Sequence, residues 1–171
     1  MTMISTPSRT PRPFNSPIEC GLRMLFVLEA AAGATTDLQR LVSYDYLLVH
    51  SADVASGPPS LHPAVPFRGT ELLVKRRLIE AGLDQMFSRE LLDKAFASSG
   101  IVYRRTSNTT AFTGLLTSKY AAALRERAHW LMGRFGGMAD IELTAFMASN
   151  IGRWGADFER FSTIDDLELL A

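Results

Sequence analysis

Cysteine is nearly absent from this sequence, because Cys20 is the single example among 171 residues. One thiol cannot form an intramolecular disulfide, and it cannot supply the several thiolates of a structural zinc site. Such sparse use of cysteine is typical of proteins in a reducing compartment. Cys20 stands in an apolar stretch without an activating pattern, so we expect it to be a small buried hydrophobic residue.

Long apolar runs are also missing. The longest are MLFVL and YLLV, whereas a transmembrane helix needs roughly 20 apolar residues. The opening MTMISTPSRTPRPFNSP lacks the apolar region of a signal peptide, and its prolines predict a flexible leader over residues 1–15. The sequence therefore predicts a soluble, cytoplasmic protein with no membrane partner.

Neither sign of charge is in excess, since 18 basic side chains balance 18 acidic ones. The two signs are nevertheless distributed unevenly along the chain. Residues 68–127 hold eleven Lys and Arg against six Asp and Glu, and residues 135–171 hold two against seven. A protein that binds polyanions usually has a clear positive surplus, and here the surplus is only local.

Apolar periodicity predicts a mainly helical fold. Helix signals cover residues 16–33, 35–53, 68–83, 117–137 and about 140–161. GIVYRRT, from Gly100, is the best strand; we also predict a strand over 83–88 and a short helix over 89–97. The expected class is mainly α (α+β), with a winged-helix-like helical core and a small β-hairpin over 16–135. Residues 136–171 are predicted to be a C-terminal helix and an acidic tail packed on the same domain.

Three adjacent basic residues, Lys75, Arg76 and Arg77, stand in the predicted helix RGTELLVKRRLIEAGL. Successive helical residues are about 100° apart, so the three fan over about 200° and cannot all face one groove. Lys75 follows Glu71 at the i,i+4 spacing, and both arginines can reach toward Glu80. We therefore favour a solvated, self-paired face, while a protein interface and a nucleic-acid contact remain open as alternatives.

Arg104 and Arg105 follow the strand GIVY and would stand near a wing. Adjacent strand residues point to opposite faces, so we expect one of the two arginines to be a salt-bridge partner. Together with Lys75, Arg76 and Arg77 they make up the candidate nucleic-acid-binding set. The proline-rich connection before the basic helix, from His50 to Gly69, is far longer than the 3–4 residue turn of a helix–turn–helix motif. This length argues against a sequence-reading helix.

His50, Asp53 and His62 are the only residues that resemble a catalytic or metal-binding cluster. They flank the proline-rich connection and lack the defined ligand spacing of a metal site. We interpret them as residues that hydrogen-bond the irregular loop to the body of the domain. Without a phosphate loop or a nucleophile motif, the residues predict a non-enzymatic protein with no catalytic residue, metal or cofactor.

Several segments together resemble a known family. They are FNSPIECGLRMLFVLEAA, DLQRLVSYDYLLVHSAD, GPPSLHPAVPFRGTELLVKRRLIEAGL, SRELLDKAFASSGIVYRRT, LTSKYAAALRERAHWL and GRWGADFERF. From about Phe14 to Phe161 the chain is similar to the middle-component-two family of bacterial ABC-three-component systems. DYLLVHS and PPSLHP are the strongest parts of this resemblance.

The resemblance implies an accessory adaptor subunit whose partners are an ABC-type ATPase and a third component, in conflict with phage or other invading DNA. The family has no established catalytic residues to carry over. It favours His50, Asp53 and His62 as interface residues, and Arg76 and Arg77 join them in that candidate set. A stand-alone winged-helix DNA-binding regulator is the alternative, and an enzyme built on the histidine cluster ranks third. Weak, indirect DNA association and a homo-oligomer also remain open.

Overall fold

The computed structural model of the protein describes residues 16–64 and 68–153, without the side chains of residues 68–71 and 73. The predicted leader and acidic tail lie outside these residues. In chain order the elements are α1 (Pro17–Ala30), β1 (Thr36–Asp37), α2 (Leu38–Val49), a 3₁₀ turn (Ser51–Asp53), α3 (Arg68–Phe87), β2 (Asp93–Ala97), β3 (Gly100–Arg104), α4 (Ser107–Leu115) and α5 (Lys119–Phe135). A further helix, α6, begins at residue 140 and continues to residue 153, the last one described.

Helix α1 is the central element of the core. It begins with a capping box, in which the Glu19 backbone N–H donates to Ser16 Oγ at 3.3 Å and the Ser16 N–H donates to Glu19 Oε2 at 3.0 Å. Every residue from Met24 to Leu28 is buried. The helix predicted over residues 16–33 is confirmed.

The three strands form one antiparallel sheet in the order β1-β3-β2. Tyr103 and Val102 of β3 pair with Thr36 and Asp37 of β1. The predicted class, mainly α with a small β-hairpin, is confirmed. The predicted strand at Gly100 is also confirmed.

Two local predictions in the middle of the chain are wrong. Residues 83–87, predicted as a strand, continue α3, and residues 93–97, predicted as helical, form β2. The apolar residues Leu91, Leu92 and Phe96 suggested a helical period, but pairing with β3 determines the conformation here. Local propensity in short segments is routinely overridden by such tertiary pairing.

Helix α4 was not predicted, because its sequence SNTTAFTGL is rich in β-branched and small polar residues. Its threonine hydroxyls cap the helix and hold it to the chain before β2. Thr106 caps it by accepting from the Thr109 N–H at 3.4 Å. The hydroxyl of Thr109 donates to the Leu91 carbonyl at 2.5 Å, and that of Thr113 donates to the Thr109 carbonyl at 2.9 Å.

Helices α1 and α3 cross with their backbones in direct contact. A Cβ atom placed on Gly82 would lie 2.2 Å from the Pro17 carbonyl oxygen and 2.6 Å from the Gly21 nitrogen. A Cβ atom on Gly21 would lie 2.6 Å from the Gly82 carbonyl oxygen. These two glycines therefore set the separation of the helices.

Arg40 connects α2 to the start of α6. Its guanidinium donates to the carbonyl oxygens of Phe135 and Met138, at 3.1 and 2.5 Å, and to the Asp140 carboxylate at 2.5 Å. Leu143 of α6 is buried in the same apolar core as α1. None of the described helices is long and apolar enough to span a bilayer.

Candidate functional site

The chain that follows α2 is docked onto the helical body. The N–H groups of Leu61 and His62 donate to the Val49 carbonyl at 2.9 and 3.1 Å. Nε and Nη2 of Arg127, on α5, donate to the Pro59 carbonyl at 3.1 and 2.9 Å. The proline-rich connection is therefore held at both α2 and α5.

His50, Asp53 and His62 come close together beneath this connection. Nε2 of His62 lies 2.7 Å from the Tyr120 hydroxyl, and the Tyr46 hydroxyl donates to Asp53 at 2.5 Å. The rings of His50 and His62 are perpendicular, with centroids 6.5 Å apart. These contacts agree with the interpretation that the cluster fastens the loop to the body.

The two histidines of the candidate interface set are buried. His50 is 2% exposed and His62 is 8% exposed, so neither ring forms part of the accessible surface. Their rings instead support the loop from below. Asp53 is partly exposed.

An ionic cluster lies in the interior where α1, α2 and α3 meet. The Asp45 carboxylate accepts hydrogen bonds from Nε and Nη2 of Arg23 at 2.7 and 3.1 Å, and from Lys75 Nζ at 3.4 Å. Asp45 is fully buried, and the two cations are 1% and 5% exposed. Because an unpaired buried charge is costly, this cluster couples the three helices.

The cluster changes the acidity of the groups around it. Burial would raise the pKa of Asp45, but the adjacent Arg23 and Lys75 charges lower that pKa from 3.8 to about 2. Burial, reinforced by those two cations, lowers the pKa of His62 from 6.5 to about 4. Burial and the Asp45 charge raise the pKa of Cys20 from 9.0 to about 11. The Cys20 thiol is therefore buried and protonated, in agreement with its predicted inert role.

The free energy of unfolding should fall as the pH is lowered from about 6.5 to about 4. In this window the unfolded chain binds a proton at His62 and the folded protein does not, because its pKa is about 4. Stability therefore rises with pH, with a slope approaching about 1.4 kcal/mol per pH unit. Urea denaturation at half-unit pH intervals measures the slope.

His62→Gln should flatten this profile, since glutamine does not titrate and can still hydrogen-bond to Tyr120. His129→Gln removes an exposed histidine and serves as the control, which should keep the slope. An unchanged slope in the His62 variant would exclude His62 as its source.

The basic residues of α3 differ sharply in exposure. Lys75 is buried, and its ammonium is directed toward the Asp45 carboxylate in the interior. Arg76 is exposed and donates to Gln39 Oε1 on α2 at 2.7 Å. Within the described part of the chain, neither Arg76 nor its exposed neighbour Arg77 forms the expected ion pair with Glu80. The predicted partner of Lys75 is Glu71, and the side chain of Glu71 is not among those that the structure describes.

The two arginines after GIVY are both in ion pairs, whereas only one was expected to be. Arg104 Nη2 lies 2.6 Å from Asp93 Oδ2 across the hairpin. Arg105 Nη1 lies 2.8 Å from Glu29 Oε1 on α1. Both arginines therefore have a carboxylate partner in the same domain.

Arg23 and Asp45 were missed as site residues, although the sequence contains a signal for them. Each is a lone charged residue in an otherwise apolar helical run, in RMLFVL and in SYDYLLV. Charged side chains are rarely fully buried unless they are paired. A basic and an acidic residue in two core helices therefore indicate a buried ion pair.

A cleft of about 520 Å³ lies where the end of α1 meets β1, the start of α2 and the end of α5. Arg40, Tyr44 and Met138 line it, together with residues of the hairpin. None of the predicted site residues belongs to this lining. Among the residues that the structure describes, no three His, Cys, Asp or Glu side chains are grouped as metal ligands would be.

One comparison with known proteins gives a match. A family model described as "ABC-three component (ABC-3C) system Middle Component 2" matches residues 13–157. The matched range contains every described helix and strand. No curated protein and no solved structure matches the chain.

Proposed function

Since this chain belongs to the Middle Component 2 family of ABC-three-component systems, we propose that it is a non-enzymatic adaptor subunit. In this proposal it joins the ABC-type ATPase of such a system to the third component. The system would act against phage or other invading DNA. The family match over residues 13–157 is the observation that carries the proposal.

The geometry of the histidine cluster supports a structural role over a catalytic one. The ring nitrogen of His62 and the Asp53 carboxylate are engaged with tyrosine hydroxyls. Asp45 is held by two cations in the interior. Polar groups that are committed to such contacts position the loop and the helices.

The adaptor is proposed to use a winged-helix-like core. The order of elements from α1 to β3, and the strand order β1-β3-β2, favour this description. In such a core α3 occupies the place of the recognition helix, and the β2–β3 hairpin is the wing. Fold alone does not define function, so the charges on these elements decide between protein and DNA as the partner.

Those charges favour a protein partner. Lys75 is buried, and Arg104 and Arg105 are paired with carboxylates. Arg76 and Arg77 are the exposed members of the candidate nucleic-acid-binding set that form no ion pair with a described residue. Two phosphate contacts supply only non-specific affinity.

We expect the isolated protein to bind DNA weakly and without sequence preference. The dissociation constant at physiological salt should be weaker than ~10⁻⁶ M, with a log–log salt slope of roughly −2. Fluorescence anisotropy on random duplexes at several salt concentrations measures both values.

A charge-reversed pair of variants makes this test specific. Arg76→Glu with Arg77→Glu should remove most of the slope, whereas Arg89→Glu with Arg134→Glu reverses two other exposed arginines and should change it less. Nanomolar binding to one sequence, abolished only by the first variant, would establish the DNA-binding regulator in place of the adaptor.

Co-purification tests the proposed membership of a complex. The three components encoded together are expressed with an affinity tag on this chain. The ATPase should be retained through washes at moderate salt. An ATPase that elutes with the untagged background would contradict the proposal.

A further inference from the structure

The β2–β3 hairpin exposes an apolar patch at its tip. Phe96 is 91% exposed, and its partner across the hairpin, Ile101, is 45% exposed. Directly paired residues of antiparallel strands project from the same face of the sheet. A phenylalanine almost entirely in water is unfavourable unless another surface covers it.

Within the described residues β2 is an outer strand of the sheet, so its second hydrogen-bonding edge has no partner there. A two-residue loop closes the hairpin on the pair Ala97–Gly100, which fixes which backbone groups point inward. By alternation, Ala95 and Ala97 bond to β3, while the N–H and C=O groups of Lys94 and Phe96 point to the open edge.

The charges that normally protect such an edge are engaged elsewhere. Lys94 Nζ forms an ion pair with Asp84 and lies 4.9 Å from the centroid of the Phe87 ring. Asp93 is paired with Arg104 on the neighbouring strand. The strand contains neither a proline nor a bulge, so its edge is regular over five residues.

We propose that β2 pairs with β2 of a second copy of this chain, antiparallel and with the two-fold axis at Ala95. This pairing uses the outward groups of Lys94 and Phe96, and it places Lys94 of one copy opposite Phe96 of the other. Ala95 lies opposite Ala95, and Asp93 lies opposite Ala97. No like charges are opposed, so the strand is complementary to itself.

A second copy fits this edge because one register satisfies the outward hydrogen bonds and covers both Phe96 rings. The ring of Phe96 in the other copy can lie against the aliphatic stem of Lys94, whose ammonium stays paired with Asp84. A two-fold axis makes the contact isologous, so it closes at a dimer. The inference is independent of the adaptor proposal and does not depend on the ATPase.

Cross-linking through one introduced cysteine tests the register in the full chain, in a Cys20→Ala background that removes the native buried thiol. In a non-hydrogen-bonded antiparallel pair the Cα atoms lie about 4.5 Å apart, within the range of a disulfide. Ala95→Cys should therefore form a disulfide-linked dimer on mild oxidation, at least tenfold faster than Ala97→Cys. Random collisions would give the opposite order, because Ala97 is the more exposed of the two positions. Equal rates, or faster linkage through Ala97→Cys, would overturn the proposal.

Charge variants at Phe96 provide a second measurement, by sedimentation equilibrium over a concentration series. Phe96→Lys opposes Lys94 of the other copy, whereas Phe96→Glu faces it with the opposite charge. Both variants lose the ring, so the lysine variant should associate at least tenfold more weakly than the glutamate variant. A parent protein that stays monomeric at the highest concentration, or equal weakening by the two variants, would refute the two-fold pairing.

Discussion

Replacing Asp45 with asparagine should lower the free energy of unfolding by about 3–5 kcal/mol. The substitution keeps the shape of the side chain and removes its charge. Arg23 and Lys75 then remain in the interior without the carboxylate that both contact. Urea denaturation monitored by circular dichroism at pH 7 measures the loss.

Asp140→Asn is the matched control for Asp45→Asn. Asp140 also forms an ion pair with an arginine, Arg40, but its side chain is 74% exposed. Exposed pairs contribute about 0–1 kcal/mol, so the control should be nearly as stable as the parent. Similar losses in the two variants would show that the buried cluster is not a principal support of the fold.

The same cluster should make the free energy of unfolding fall further at low pH. The folded pKa of Asp45 is lowered from 3.8 to about 2, so the carboxylate stabilises the fold above pH 3.8. This contribution is lost as the pH falls from about 3.8 to about 2. The window lies below that of His62, and the two contributions can be separated in one pH series.

Replacing Gly82 with alanine should destabilise the protein by about 1–3 kcal/mol or more. Alanine favours a helix by about 1 kcal/mol over glycine, so propensity alone predicts the opposite sign. The added Cβ atom would lie 2.2 Å from the Pro17 carbonyl oxygen, which is backbone and cannot rotate away. Helices α1 and α3 must then separate, and the core between them loosens.

Gly133→Ala measures the effect of helix propensity alone on the free energy of unfolding. Gly133 lies within α5, and a Cβ atom there has nothing within 4 Å. This variant should gain about 0.5–1 kcal/mol, measured in the same denaturation series. A Gly82 variant that is stabilised to the same extent would show that the helices do not cross in contact at this position.

Gly82 also illustrates where prediction from the sequence fails. A glycine after an apolar period normally indicates the end of a helix, and we accordingly predicted that the helix ends near residue 83. Gly82 instead lets the backbone of α1 pack directly against α3. The sequence around Gly82 gives no sign of this contact. Helix α1 was predictable because Ser16, Pro17 and Glu19 determine its start through neighbouring residues alone.

The candidate site also contains some features that the sequence predicts and others that it does not. The role of His62 in fastening the loop followed from its place in a proline-rich connection. The burial of Lys75 did not follow from the sequence, because its partner Asp45 lies 30 residues away. Only the packing of α2 against α3 brings the two side chains together. The pairing of Arg105 with Glu29 spans 76 residues. A sequence shows which charges are available, and tertiary packing decides which of them remain exposed.

The most direct test of the adaptor proposal is whether this chain bridges the other two components. The ATPase is tagged and immobilised, and the third component is added with and without this chain. We predict that the third component is retained only when this chain is present, in a fixed molar ratio to it. Retention of the third component by the ATPase alone, at an equal level, would contradict the account.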